Sequence, residues 1–286
     1  MKKLIAVLLA LVLVLGLAAC AAKTEEAADA ATEAATEAVA EAATEAVAEA
    51  ATEVVEAAAE LTTVNPGKLT MSTNAAFPPY EMTADDGSFI GIDVEIAGAI
   101  AEKLGLELQV DDMDFDAALL AAQNSKSDIV MAGVTVTDER LNVMDFSDSY
   151  ATGIQSVIVP EGSAIQDLDG LNGAKIGTQR GTTGNIYCED DFGVENVTAY
   201  DNGITAVQAL QNGQIDAVVI DNAPAQAFVA ANEGLVILDT DYAVEQYAIG
   251  MAKGNTALLE AVNGALAELI ADGTVQNIIN SYISAE

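Results

Sequence analysis

Between residues 61 and 284 short apolar runs alternate with stretches of helical period, a pattern that predicts an α/β fold. Lys68–Thr73 reads as a first strand. Asp85-Asp86-Gly87 signals a turn. Residues 93–104 put Val94, Ile96, Ala97, Ile100, Ala101 and Leu104 on one helical stripe, which Gly105 stops. A strand at 106–110, a helix at 116–124 and a strand at 129–132 follow. A second series opens with strands at 156–159 and 175–178. It continues with a helix after Gly181, a strand at 197–200, a helix at 204–212 and a buried strand at 217–220. Asp221 comes directly after that strand, and Pro224 suits the first turn of the next helix. A strand at 247–251 and helices at 257–271 and 275–283 close the chain. Two such series predict two lobes rather than one sheet.

The pattern changes before residue 61. Lys2 and Lys3 precede an apolar run from Leu4 to Leu17, which ends in Leu17-Ala18-Ala19-Cys20. A basic start, an apolar stretch and small residues make a secretory signal. The uncharged run reaches Ala22, near the lower limit for a membrane span, so an uncleaved anchor is the alternative. Residues 23–60 are low in complexity, and Ala-Thr-Glu-Ala-Val-Ala-Glu-Ala occurs at both 35–42 and 43–50. Alanine favours helix, but Glu37, Glu41, Glu45, Glu49 and Glu53 are four apart and repel one another. Val39, Val47 and Val55 repeat every eight residues and form no helical stripe, which argues against a coiled coil. The stretch reads as a charged spacer, with a reach of roughly 60 Å if helical at 1.5 Å per residue.

Charge narrows the function classes. The chain has 45 acidic residues against 10 Lys+Arg, a formal net charge of −35. Nucleic acid and anionic membrane surfaces are therefore poor partners. The chain has no histidine, the usual general base and commonest metal ligand. Its two cysteines, Cys20 and Cys188, are too few for a zinc cluster or a disulfide framework. No metal and no cofactor is expected. Cys188 reads as a small buried hydrophobe.

Against this acidic background there are two arginines, Arg140 and Arg180. Arg140 follows Asp138 and Glu139, so it is either a surface arginine paired with them or a guanidinium kept for a ligand carboxylate. Arg180 precedes Gly181-Thr182-Thr183-Gly184, a turn able to aim backbone N–H groups at an anion. Asn74, Phe77, Thr135, Thr182, Thr183 and Asp221 all follow predicted strands, at the carboxyl ends where α/β sheets bind ligands. That grouping favours Arg140 as a ligand group. Phe77 and Phe115 are otherwise core aromatics, and Asp221 a helix cap.

Ordered motifs carry a family resemblance. They are Phe77-Pro-Pro-Tyr-Glu81, Gly91-Ile-Asp-Val-Glu-Ile-Ala-Gly-Ala-Ile-Ala-Glu-Lys-Leu-Gly105, Asp114-Phe-Asp-Ala117 and Ala132-Gly-Val-Thr-Val-Thr-Asp-Glu-Arg140 with Asp145-Phe-Ser147. Gly181-Thr-Thr183, Asp221-Asn-Ala-Pro224 and Glu245-Gln-Tyr-Ala-Ile249 follow. Over nearly all of the folded part the chain resembles the extracellular solute-binding proteins of polar amino-acid ABC importers. Leu17-Ala-Ala-Cys20 resembles a bacterial lipoprotein cleavage box, with Cys20 as the lipid-modified residue.

The resemblance implies a periplasmic-binding-protein-like fold with two lobes joined by two crossing strands. Residues 1–20 are then a lipoprotein signal peptide and 21–62 a spacer, with lobe 1 formed by 63–155 plus 247–286 and lobe 2 by 156–246. It implies that Arg140 clamps the α-carboxylate of a polar amino acid, helped by Thr135, the backbone around Gly133, and Thr183. Asp221 accepts the α-ammonium, and Phe77 and Phe115 cover the side chain. Asn74 stands where binders of basic amino acids often carry an acid, which argues against lysine or arginine. Ala248 stands where a glycine is common. The expected partners are the amino acid, ABC permease subunits and the membrane through the lipid anchor, for a monomer held outside the cytoplasm. The rival readings are a dehydratase-like enzyme on the same fold, with an acid such as Glu81 or Asp221 moving protons, and a sensory ligand-binding module.

Overall fold

The computed structural model describes residues 61–283. The signal peptide, Cys20 and nearly all of the spacer lie outside the described residues.

The first series folds as expected, with boundaries shifted by a residue or two. β1 (Lys68–Thr73) is covered on both faces and pairs in parallel with β5 (Glu107–Asp112) and β6 (Ile129–Val130). Between them β2 (Ala76–Phe77), β3 (Glu81–Thr83) and β4 (Phe89–Ile90) form a small antiparallel sheet that the apolar pattern does not announce. Its strands are too short to carry a periodic signal. α1 (Ile92–Lys103) buries Ile92, Val94, Ile96, Ala97, Ile100 and Ala101, the stripe read from the sequence. It starts at Gly91, where φ is +129° and a Cβ would collide with the Tyr80 carbonyl oxygen, so only glycine fits. α2 (Phe115–Gln123) packs on β1.

The largest departure from expectation lies in the middle of the chain. Residues 138–143 form a short helix, α3 (Asp138–Val143). β7 (Met144–Pro160) then runs for 17 residues, of which the sequence pattern picked out only the last part. Its first stretch alternates poorly, because one strand meets different neighbours along its length. It pairs antiparallel with β12 (Ala243–Ala252) from Met144 to Gln155, and then with β10 (Ala217–Asp221) from Gln155 to Ile158. Hydrogen bonding is therefore continuous, in the order β5-β1-β6-β12-β7-β10, then β8 (Ile176–Gln179) and β9 (Val197–Tyr200). Separate sheets were expected. The pairing of β7 with both β12 and β10 joins the two series into one ladder.

The second series supplies α4 (Thr183–Phe192), α5 (Gly203–Gln211), α6 (Asn222–Ala231) and β11 (Leu235–Ile237) around β8 and β10. All five residues of β10 are buried, as its unbroken apolar run requires. Cys188 is buried beside Val157, Val219 and Leu171, and burial pushes its thiol up to about 12. It packs as a small hydrophobe, as expected. The chain returns along β12 and closes with α7 (Thr256–Ala271) and α8 (Thr274–Tyr282), which pack on α1. Among the described residues no helix is long and apolar enough to cross a membrane.

Candidate functional site

All nine residues singled out from the sequence line one cleft of about 440 Å³, a volume that includes its open mouth. They are Asn74, Phe77, Phe115, Gly133, Thr135, Arg140, Thr182, Thr183 and Asp221. They come from strand ends, loops and the first turns of helices in both series, which the sheet brings together at its carboxyl edge.

Arg140 sits on α3, held at its backbone by a cap: its N–H donates to Thr137 Oγ1 at 3.2 Å. The side chain is 9% exposed, and among the described residues it makes no ion pair. The surface pairing with Asp138 or Glu139 is thus absent. Instead Nη1 donates to the Thr135 carbonyl at 2.8 Å and Nη2 to the Gly181 carbonyl at 3.1 Å, reaching from the first series to the second. The guanidinium stacks 5.5 Å from the centre of the Phe115 ring, so Phe115 faces the cleft as well as the core. Burial pulls the guanidinium down from its usual range, with the Glu245 carboxylate opposing. A guanidinium has five N–H donors, so three remain after these two bonds. Arg180 is half exposed and pairs with Asp201 at 3.3 Å on the surface.

Gly133 follows β6 with φ +55°, and its N–H donates to Asp93 Oδ2 at 2.9 Å. A Cβ there would lie 3.0 Å from Phe77 and 3.2 Å from Tyr247, so the conformation favours glycine and the space is tight. Thr135 Oγ1 donates to Glu245 Oε2 at 3.1 Å, and Gln155 Nε2 donates to the same oxygen at 2.9 Å. One buried carboxylate thereby orients two cleft side chains. Thr182 caps α4 by accepting from the Asn185 N–H, which puts Thr183 on the first turn, where amides lack partners within a helix.

Asp221 is both cap and cleft residue. Oδ1 accepts from the Ala223 N–H at 3.0 Å, while Oδ2 accepts from Tyr247 Oη at 2.8 Å and the Ile154 N–H at 2.9 Å. Burial pushes its carboxyl up to about 6, although those three bonds favour the charged form. Tyr80 packs beneath, stacked on Phe77 at 5.8 Å and edge-on to Tyr247 at 5.4 Å, so its role is packing. Asn74 Nδ2 donates to the Met113 carbonyl, and Asn74 Oδ1 accepts from Gln179 Nε2 at 2.9 Å across the cleft.

The lining also includes Glu81, which the sequence pointed to only for the enzyme alternative, and Ala132, Gln155, Gln179, Val219, Ile220 and Tyr247, which it did not point to as site residues. Gln179 ends β8, so the strand-end rule could have found it. Gln155 and Tyr247 lie inside the long paired strands, where no local pattern marks them.

Comparison with known proteins fits this geometry. The family model for bacterial extracellular solute-binding proteins, family 3, matches residues 69–285. The chain belongs to this family. The L-cystine-binding protein TcyJ of Escherichia coli (strain K12) is 32% identical over 224 residues, covering 77% of this chain and 84% of that protein. The arginine-binding extracellular protein ArtP of Bacillus subtilis (strain 168) is 31% identical over 229 residues, covering 77% and 87%. Among solved structures, an ancestral arginine-binding protein bound to glutamine superposes with a TM-score of 0.74 at 38% identity, covering 77% of this chain and 100% of that one. Family 3 proteins are binding components, and this chain is a substrate-binding component of a transporter rather than an enzyme. Its two-lobed fold is the one expected.

Proposed function

We propose that the protein captures a free polar amino acid between two lobes outside the cytoplasm and delivers it to an ABC permease. Cys20 carries the lipid anchor, residues 21–62 form the spacer, and the protein acts as a monomer. Lobe 1 takes residues 63–155 plus 247–286 and lobe 2 takes 156–246. The supporting observation is a buried guanidinium and a buried carboxylate, Arg140 and Asp221, lining the same cleft from different series.

A zwitterion entering this cleft loses hydration at both charged ends and needs a charged partner for each. Arg140 has donors left for the α-carboxylate, with Thr135, the Gly133 backbone and the first amides of α4 at Thr183 in support. Asp221 receives the α-ammonium. Phe77 and Phe115 cover the side chain, and Asn74 and Thr182 bound it. A ligand bonded to both series favours the closed form, which a permease can recognise. Names of relatives include cystine, arginine and glutamine as ligands, which supports a polar amino acid as the ligand here.

Calorimetry with a panel of amino acids tests the reading. At least one polar amino acid will bind, and Arg140→Ala will bind it at least about a hundredfold more weakly, from two charge-assisted bonds of about 1.5–3 kcal/mol each. Equal affinity in Arg140→Ala would remove the clamp. Cell fractionation of Cys20→Ala tests the anchor: the variant leaves the membrane fraction if Cys20 holds it there.

A further inference from the structure

Behind the cleft four oxygen atoms are buried without a hydrogen-bond partner. They are both carboxyl oxygens of Glu81, Oδ1 of Asp93 and the hydroxyl of Tyr150. Glu81 starts β3, Asp93 lies in the first turn of α1 and Tyr150 belongs to β7. Glu81 and Asp93 are both 0% exposed, and Glu81 also lines the cleft. The Asp93 N–H donates to the Tyr80 carbonyl at 2.9 Å, which sets Asp93 beside Glu81, and the Glu81 carboxyl and Tyr150 hydroxyl lie close enough to act on the Asp93 carboxyl.

Two bare carboxylates offer only acceptors, so no hydrogen bond can form between them unless one carries a proton. The other charged groups acting on Glu81 are Asp112 at the end of β5 and Asp221 at the end of β10, both acidic. Tyr80 packs against the pair and supplies no positive charge. Neither carboxyl makes an ion pair with a lysine or arginine among the described residues. Burial first, and the Asp93 charge second, push Glu81 well above the usual carboxylate range. Retaining one proton costs far less than burying two like charges.

Asp93 has a second contact that reaches the cleft. Its Oδ2 accepts the Gly133 N–H at 2.9 Å, and Gly133 holds the left-handed turn that lines the cleft. The acid touching Glu81 is therefore the one that pins this turn.

We propose that Glu81 is a positioning residue: protonated in the folded protein at neutral pH, it donates to Asp93 and keeps Asp93 aimed at the Gly133 amide. Its effect on affinity rests on the cleft being the amino-acid site, whereas the proton itself does not.

Infrared difference spectra and calorimetry on the parent, Glu81→Gln and Glu81→Leu test this. At neutral pH the parent will show the C=O stretch of a protonated carboxylic acid, and Glu81→Gln will lack it. In titrations with L-arginine, L-glutamine and L-cystine, Glu81→Gln keeps a neutral donor and will bind as the parent does. Glu81→Leu is neutral without a donor and will bind about tenfold more weakly, one buried hydrogen bond being lost. A protonated-acid band unchanged in Glu81→Gln, or parent-like affinity in Glu81→Leu, overturns the proposal. If none of the three amino acids binds the parent, the functional reading fails there, and the infrared band alone decides the proton. If Glu81→Leu does not fold, the band and the affinity of Glu81→Gln decide, and a large loss of affinity in Glu81→Gln overturns the proposal.

Discussion

Replacing Asp221 with asparagine will strengthen the fold while weakening capture. The carboxyl is 2% exposed, and burial raises it from the ordinary 3.8 to about 6. At about 1.36 kcal/mol per pKa unit, ionising it in the folded protein costs about 3 kcal/mol at neutral pH. Asparagine removes that cost. It can still accept at one oxygen from Ile154 and Tyr247, but its NH₂ then faces the Ala223 N–H that Asp221 now accepts. Losing that cap bond costs about 1 kcal/mol, which leaves a net gain of about 2 kcal/mol for the free protein. Urea denaturation near neutral pH measures it, and the gain will shrink as pH falls below about 6, where the folded parent takes up its proton, and be gone near pH 4. Calorimetry on the same samples will show affinity reduced by about tenfold or more, because the α-ammonium loses a charge-assisted partner. A variant no more stable than the parent near neutral pH would show that the Asp221 charge is not the strained element. A variant that binds as tightly would place the ammonium elsewhere.

Arg140→Lys keeps the charge but cannot reach both the Thr135 and Gly181 carbonyls while offering a two-pronged donor, so calorimetry will show about a tenfold loss even though the charge is conserved. Parent stability will fall as pH rises from about 4 to about 6, because raised acids such as Asp221 hold protons in the folded state that the unfolded chain has released; urea midpoints across that range check the sign. Between about pH 6 and 5 affinity will fall as the solution becomes more acidic, since the α-ammonium must displace the Asp221 proton; calorimetry in buffers of different ionisation enthalpy will detect the released proton. Gly91→Ala will lose about 3 kcal/mol or more, as φ +129° and a Cβ driven into the Tyr80 carbonyl oxygen leave no relaxed arrangement; thermal melting reads the loss.

Much of the fold was legible because its helices and buried strands announce themselves over a few turns of chain. α1 shows its stripe in Ile96, Ala97 and Ile100, and β10 is an unbroken apolar run from Ala217 to Ile220. The strand-end rule and the family motifs together led to Asn74, Arg140, Thr183 and Asp221, because ligand residues in α/β sheets gather where strands stop. β7 was read only in part, since its side chains answer to β12 in one stretch and to β10 and β11 in another, and no single period describes them. Gln155 and Tyr247 went unselected for the same reason.

The amino-acid order alone therefore determined which segments become helix or strand, and which strand ends carry polar groups, because these depend on neighbours a few residues away. Only the tertiary structure decided that Arg140 turns inward to Thr135 and Gly181 rather than outward to Glu139. It alone set Glu81 against Asp93 and Tyr247 against Asp221. Those pairings join residues far apart in the chain, and burial, which gives them their electrostatic weight, exists only once the sheet has closed around them.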